Sequence, residues 1–433
     1  MIEKYLVKKI TEPVDWKVTV PGSKSMTNRA LLMAVLSAGT VRVEGVLFSD
    51  DSRHFLACLV ALGFTVEIEE EKKCVTVTGC GGRIPRGEAV IDVGSAGTAA
   101  RFLAAMLGFS DGCYEIRCSA QMKRRPMAEL FDLLSGAGAK ITFLEEEGHL
   151  PVRITGCRYA RADKTAGETP RELSLDITKS TQFLSALLLI APMVPEGMKI
   201  HITSEKTDGS YIRITRKMMQ EFGVSVAFDG RDYEVPCRSS YRKETYMVEP
   251  DMSAACYFYA AAAVTGGRAL VRHVHMDNTQ GDLRFLEVLE RMGCKADDTP
   301  EGVRVTGPAD GALRGITGNM NDFSDQALTL AAIAPFADAP VRIEGIGHIR
   351  GQECDRIHAI QTNLTALGIR CEEEETAVTI YPGSPHGGNV ETYDDHRVAM
   401  AFSLIGLRTD GIVIENPACC RKTFEDYFTV LSE

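Results

Sequence analysis

No stretch of the 433 residues reads as a basic tract interleaved with aromatics, and the formal net charge is −11. Polyanions repel such a chain, which excludes a general nucleic-acid binder. Long apolar runs are missing too. The longest, Ala254–Val264, is too short to cross a bilayer. The opening MIEKYLVKKI is charged and lacks the apolar core of a secretion signal, so a cytoplasmic protein is expected. The 13 cysteines are an odd number and scattered, with no C-x-x-C pair and no Cys/His ligand spacing. Neither a disulfide framework nor a zinc site is suggested, and free thiols in a reducing compartment are expected. No cofactor, metal, nucleic-acid or membrane partner is expected, and the chain is expected to be a monomer.

What is present is a pattern that occurs six times: a polar cluster of Gly, Ser, Thr or Asp running into an apolar, small-residue helix. The copies are PGSKSMTNRALLMAVLSAG from Pro21, VGSAGTAARFLAAMLG from Val93, ITKSTQFLSALLLIAP from Ile177, PDMSAACYFYAAAAVTGG from Pro250, NDFSDQALTLAAIAPFA from Asn321 and YDDHRVAMAFSLIG from Tyr393. Helices apolar on nearly every face are buried helices. Their starts offer N-caps, exposed amides and the positive end of the dipole, which suits anions. Six such starts suggest phosphate or carboxylate ligands.

Between these helices lies a second repeated unit: helix, Gly, strand, acidic turn, strand. Copies begin at Ala61, Gly136, Glu221, Arg291 and Ala366. The Gly after each helix fits a left-handed C-cap, and the alternating Val/Ile/Thr runs fit strand pairs with one wet face. A sixth copy is split. The chain ends in the helix-like TFEDYFTVLSE and begins with the strand-like YLVKKITEPVDWKVTVPG, so its termini together complete the sixth unit. The spacing of about 70 to 85 residues is too long for a solenoid of short units. The class is α/β, built from βαβ-type units. Three units make one domain, giving 21–246 as a first lobe and 1–20 with 247–433 as a second. Arg158–Arg171 and Arg238–Thr245 read as surface loops.

Against an acidic background, cations gather near the six helix starts: Lys24, Arg29, Arg101, Lys123, Arg124, Arg125, Arg356, Arg397 and Lys422. Arg suits two-pronged capture of phosphate and carboxylate. Two carboxylates stand among them, Asp325 at the fifth helix start and Glu353 in GQECDR. They are candidates for a base and an acid.

The segments PGSKSMTNRAL, SAGTAARFLAA, MKRRPM, STQFLSALL, the Asp325 segment, QECDR, DDHRVAM and KTFEDYF occur in this order across nearly the whole chain. Together they resemble the signatures of the 5-enolpyruvylshikimate-3-phosphate synthase family. That resemblance implies an inside-out α/β fold of two lobes, each of three βαβαββ units, with the active site in the cleft between lobes. It implies transfer of the enolpyruvyl group of phosphoenolpyruvate to the 5-hydroxyl of shikimate 3-phosphate, by addition and elimination. Asp325 would be the base, Glu353 the proton donor to C3, and Lys24 would touch both substrates. Shikimate 3-phosphate would meet Lys24, Ser25, Arg29, Ser180, Thr181, Gln182, Asp325 and the position of Gln352. Phosphoenolpyruvate would meet Lys24, Gly97, Arg125, Gln182, Arg356, Arg397 and Lys422.

Some positions depart from the family's commoner pattern. Gln352 stands for a frequent Lys, Asp208 for a Ser, His348 for an Asn, and Phe102 for a Pro found in one branch. The sister transferase acting on UDP-N-acetylglucosamine shares the fold, but typically has Lys-Asn in place of Lys24-Ser25 and a catalytic Cys in a mobile loop. Cys118 lies near that region, where a structural thiol is expected.

Overall fold

The computed structural model describes residues 3–157, 170–309 and 312–432. The loop expected at Arg158–Arg171 falls outside the described residues, apart from Pro170 and Arg171, and Arg171 already begins a strand. The chain divides into two compact units. One is Gly22–Glu249; the other joins Met1–Pro21 to Pro250–Glu433. Each has its own apolar core.

In the first unit the core is built on three helices, Lys24–Leu36, Gly97–Gly108 and Thr181–Ile190, which pack on one another. Beyond their polar starts these helices are almost wholly apolar, and nearly every residue is buried. A helix with no wet face must lie inside, which leaves the sheets and amphipathic helices to face water. The second unit repeats the plan with Met252–Thr265, Ala327–Ile333 and His396–Gly406.

Among the described residues five sheets have four strands in one pattern: a parallel pair, then two antiparallel strands. In one of them Glu88–Asp92 runs parallel to Cys113–Arg117, which pairs antiparallel with Val152–Thr155, which pairs in turn with Lys140–Phe143. The glycines expected to cap the helix before each strand pair, Gly63, Gly138, Gly223, Gly293 and Gly368, all have positive φ. A side chain there would strain the backbone, which is why the repeat carries Gly.

The sixth sheet has three strands. Lys4–Leu6 pairs antiparallel with Ile412–Glu415, which runs parallel to Gly388–Val390. The second N-terminal strand behaves differently. Asp15–Val18 joins the fourth repeat, parallel to Arg268–Arg272, although in sequence it precedes the first core helix. Thr245–Met247 mirrors it: it precedes the fourth core helix but runs parallel to Thr40–Glu44 of the first repeat. So the strand before each crossing of the chain stays with the unit it is about to leave. The segment expected as a loop at Arg238–Thr245 is irregular up to that strand, but Tyr241 is buried and its hydroxyl donates to the Leu189 carbonyl at 2.8 Å.

Candidate active site

The expected site residues fall into two groups, one in each unit. In the first unit most sit at or near the starts of the three core helices, while Arg125 follows the short helix Ala120–Lys123. Lys24 opens the first helix, Gly97 the second and Thr181 the third. Only the third start is capped by a side chain: Ser180 Oγ accepts from the Gln182 amide at 3.3 Å. Ser23 makes no side-chain cap, and Ala96 has no polar side chain. The first-turn amides of those two helices are therefore not claimed by a capping side chain, which suits an anion.

Lys24 places a cation at the positive end of its helix, which is locally unfavourable. Asp51, itself in the first turn of Asp50–Ala61, offsets this with Oδ2 3.3 Å from Lys24 Nζ. Gly97, Arg101, Arg125 and Gln182 come together. Arg101 Nη1 donates to Gln182 Oε1 at 2.8 Å and to the Gly97 carbonyl at 3.3 Å. A Cβ on Gly97 would stand 2.4 Å from Arg125 Nη1 and 2.9 Å from Arg101 Nη1. Glycine here is what lets two guanidinium groups close on the helix start.

Arg29, expected as a substrate contact, does not reach the surface in this structure. It is 1% exposed. Its Nε donates to Thr215 Oγ1 at 2.8 Å, Nη1 to the Ser25 carbonyl at 2.9 Å, and Nη2 to Ser185 Oγ and the Tyr211 carbonyl at 3.3 Å. The physical reason is apolar cover: the guanidinium lies 5.3 Å from the Phe102 ring centroid and 5.8 Å from that of Tyr211. Phe102 therefore shapes the seat of Arg29. Asp208 is held by Arg213 Nη1 at 2.9 Å and by the Tyr233 hydroxyl at 3.2 Å.

In the second unit Asp325, Glu353, Arg356, Arg397, Lys422 and Gln352 form one network. Arg356 Nη1 donates to Asp325 Oδ1 at 2.9 Å and also to Gln352 Oε1; Nη2 donates to Glu353 Oε2 at 3.0 Å. Arg397 Nη2 lies 2.9 Å from Asp325 Oδ2, and Lys422 Nζ lies 3.3 Å from Glu353 Oε1. The acid and base candidates are thus gripped by the cations expected to bind phosphoenolpyruvate. Gln352 supplies a neutral acceptor to the same Nη1 that holds Asp325. His348 Nε2 lies 2.8 Å from Ser324 Oγ, beside Asp325.

Asp395 is a member that sequence reasoning passed over. It is fully buried, accepts from Arg356 Nε at 2.8 Å, and caps the helix His396–Gly406 by accepting from the Arg397 amide at 2.9 Å. The two residues before it, Tyr393 and Asp394, both have left-handed backbone, with φ of 53° and 56°. Such residues cost about 1–3 kcal/mol each and persist where the surroundings hold them. Here the turn aims Asp395 inward and Arg397 at Asp325. The signal in sequence was the Asp two places before Arg397, a favoured N-cap. A second difference concerns Asp325. It lies in the tight turn Asn321–Gln326, kinked at Phe323, and the α-helix begins only at Ala327.

Residues 8–431 match the family described as EPSP synthase (3-phosphoshikimate 1-carboxyvinyltransferase). The chain belongs to this family. It is 41% identical to the 3-phosphoshikimate 1-carboxyvinyltransferase of Trichormus variabilis, covering 97% of this chain and 96% of that one. It is 40% identical to the protein of the same name from a Sulfurovum species, over 96% of each chain. The EPSP synthase structure from Acinetobacter baumannii shares the fold at a TM-score of 0.80, with 24% identity over 99% of this chain and 97% of that one. Among the described residues no helix is long and apolar enough to cross a membrane, and no His/Cys/Asp/Glu group could hold a metal ion. The family's two-lobed α/β plan is the one described above.

Proposed function

We propose that this chain transfers the enolpyruvyl group of phosphoenolpyruvate to the 5-hydroxyl of shikimate 3-phosphate with release of phosphate, Asp325 acting as base and Glu353 as acid. The supporting observation is that both carboxylates share the Arg356 guanidinium, each with a second cation on its other oxygen. A simple anion binder has no need of two carboxylates set among its cations.

In addition, the 5-hydroxyl gives its proton to Asp325 while its oxygen forms a bond to C2 of phosphoenolpyruvate. C3 gains a proton from Glu353, giving a tetrahedral intermediate. In elimination the new methyl group returns a proton to Glu353, the C2–O bond to phosphate breaks, and the phosphate leaves with the proton held by Asp325. Arg125, Arg356, Arg397 and Lys422 hold the phosphate and carboxylate of phosphoenolpyruvate. Lys24, Ser25, Ser180, Thr181 and Gln182 hold shikimate 3-phosphate, with Arg29 behind them. Substrate anions compete with Asp325 and Glu353 for the same cations. A carboxylate that loses part of its cationic company binds protons more tightly, which favours proton transfer to and from it. The reading takes the chain as a cytosolic monomer acting on small anions.

A phosphate-release assay tests this. Release is expected with phosphoenolpyruvate and shikimate 3-phosphate, and none with UDP-N-acetylglucosamine as acceptor. Burial pushes the Cys118 thiol up to about 11, so it is a poor nucleophile, and Cys118→Ser should keep full turnover. Release with UDP-N-acetylglucosamine that disappears in Cys118→Ser would overturn the reading.

A further inference from the structure

Another buried carboxylate of the second unit is left unused by the reaction above. Asp282 lies in the turn Gly281–Arg284 and is 7% exposed. Its hydrogen-bond partners are neutral: Ser253 Oγ and Gln326 Nε2 both donate to Oδ2, the latter at 3.2 Å. Gln326 follows Asp325 directly. Its other amide atom, Oε1, accepts from the Thr329 hydroxyl at 2.9 Å, so the amide is held with its nitrogen towards Asp282. Asp282 thus grips the residue next to the proposed base.

Charged and titratable groups lie around Asp282 on four elements. On its own turn, Arg284 reaches instead to Asp322 at 3.6 Å and Glu287 at 4.0 Å. From the helix Met252–Thr265 come Ser253 and the Cys256 thiol, whose Sγ is 3.7 Å from the Asp282 carbonyl; Asp251 caps that helix. From the Asn321–Gln326 turn come Asp325 and Gln326, and from the helix His396–Gly406 comes the field of Arg397. Burial pushes the Asp282 carboxyl up to about 7, and the negative charge of Asp325 pushes the same way. Arg397, Ser253 and Gln326 oppose.

We propose that Asp282 is a positioning residue for the transfer: through Gln326 it fixes the Asp325 segment, and its negative charge strengthens Asp325 as a base. The inference rests on the assignment of Asp325 above. Arg356 and Arg397 both weaken Asp325 as a proton acceptor, and a like charge close by restores proton affinity. Turnover should therefore rise as Asp282 ionises.

The test is kcat against pH with both substrates saturating. The native enzyme should show an inflection near the Asp282 value of about 7. In Asp282→Asn that inflection should vanish, and kcat on the alkaline side should fall roughly 3–10-fold, with KM little changed. Ser253→Ala removes a donor to the ionised carboxylate and should move the inflection upward, by up to about one pH unit. This variant decides the matter alone if Asp282→Asn fails to fold. A native profile flat through that window, or the same inflection in native enzyme and Ser253→Ala, overturns the proposal. Asp325→Asn is run alongside. Near-native turnover in that variant would sink the base assignment itself, a different failure from a silent Asp282.

Discussion

Arg29 in the first unit and Arg356 in the second are both buried to 1% exposure, and each is neutralised differently. Taking a cation out of water costs several kcal/mol unless it is compensated. Around Arg29 the acceptors are hydroxyls and backbone carbonyls, with two aromatic rings as cover. Burial holds its proton affinity down, to about 10. Burial acts the same way on Arg356, but Asp395, Glu353 and Asp325 outweigh it and raise the group above its ordinary value. Among the described residues, the first unit thus keeps a buried positive charge with no carboxylate against it. The second neutralises its charge with the very carboxylates proposed to move protons. On the proposed assignment, an anion arriving at the second group would share cations already in use, and that sharing would couple binding to the acid and base.

The comparison breaks most visibly at Arg356. Arg356→Met leaves Asp325, Glu353 and Asp395 together without their common cation. A loss of about 3–5 kcal/mol in unfolding free energy is expected from urea titration, with turnover abolished. Arg29→Met should cost less, under about 2 kcal/mol, because Thr215 and Ser185 stay hydrogen-bonded to each other at 3.0 Å. Equal losses in the two variants would mean that the carboxylates do not set the difference.

The smallest structural effect with a clear functional one is expected at Gly97. Gly97→Ala improves local helix propensity by up to about 1 kcal/mol. Its Cβ, however, displaces the tips of Arg125 and Arg101. Stability should hold or rise slightly while KM for phosphoenolpyruvate rises. An unchanged KM would remove Arg125 from the binding group.

Much of this architecture is legible in the chain because the repeat is written twice over, in apolar helices and in capping glycines. The five glycines with positive φ lie where a helix must turn into a strand, and no other residue does that as cheaply. Strand exchange was harder to read. Asp15–Val18 and Thr245–Met247 are short, and each pairs in parallel with a strand far from it in sequence, Arg268–Arg272 for the first and Thr40–Glu44 for the second. The kinked turn at Asp325 was also hidden, because NDFSDQ has the composition of an ordinary helix start. Motifs mark the cations well but not their burial. Arg29 looks like any other arginine near a helix start until Phe102 and Tyr211 are seen to cover it. Asp395 and Asp282 were missed because their partners come from distant segments, Arg356 for one and Gln326 for the other.

The central claim is that Asp325 and Glu353 do proton transfer and are not merely counter-ions to the binding cations. Steady-state kinetics of Asp325→Ala and Glu353→Ala test it most directly. A proton-transfer group matters chiefly in the transition state, so kcat should fall by at least roughly 10²-fold in each, with KM for both substrates changing far less. A variant that keeps near-native kcat while its KM values shift would show that carboxylate to be a counter-ion only, and would contradict the account.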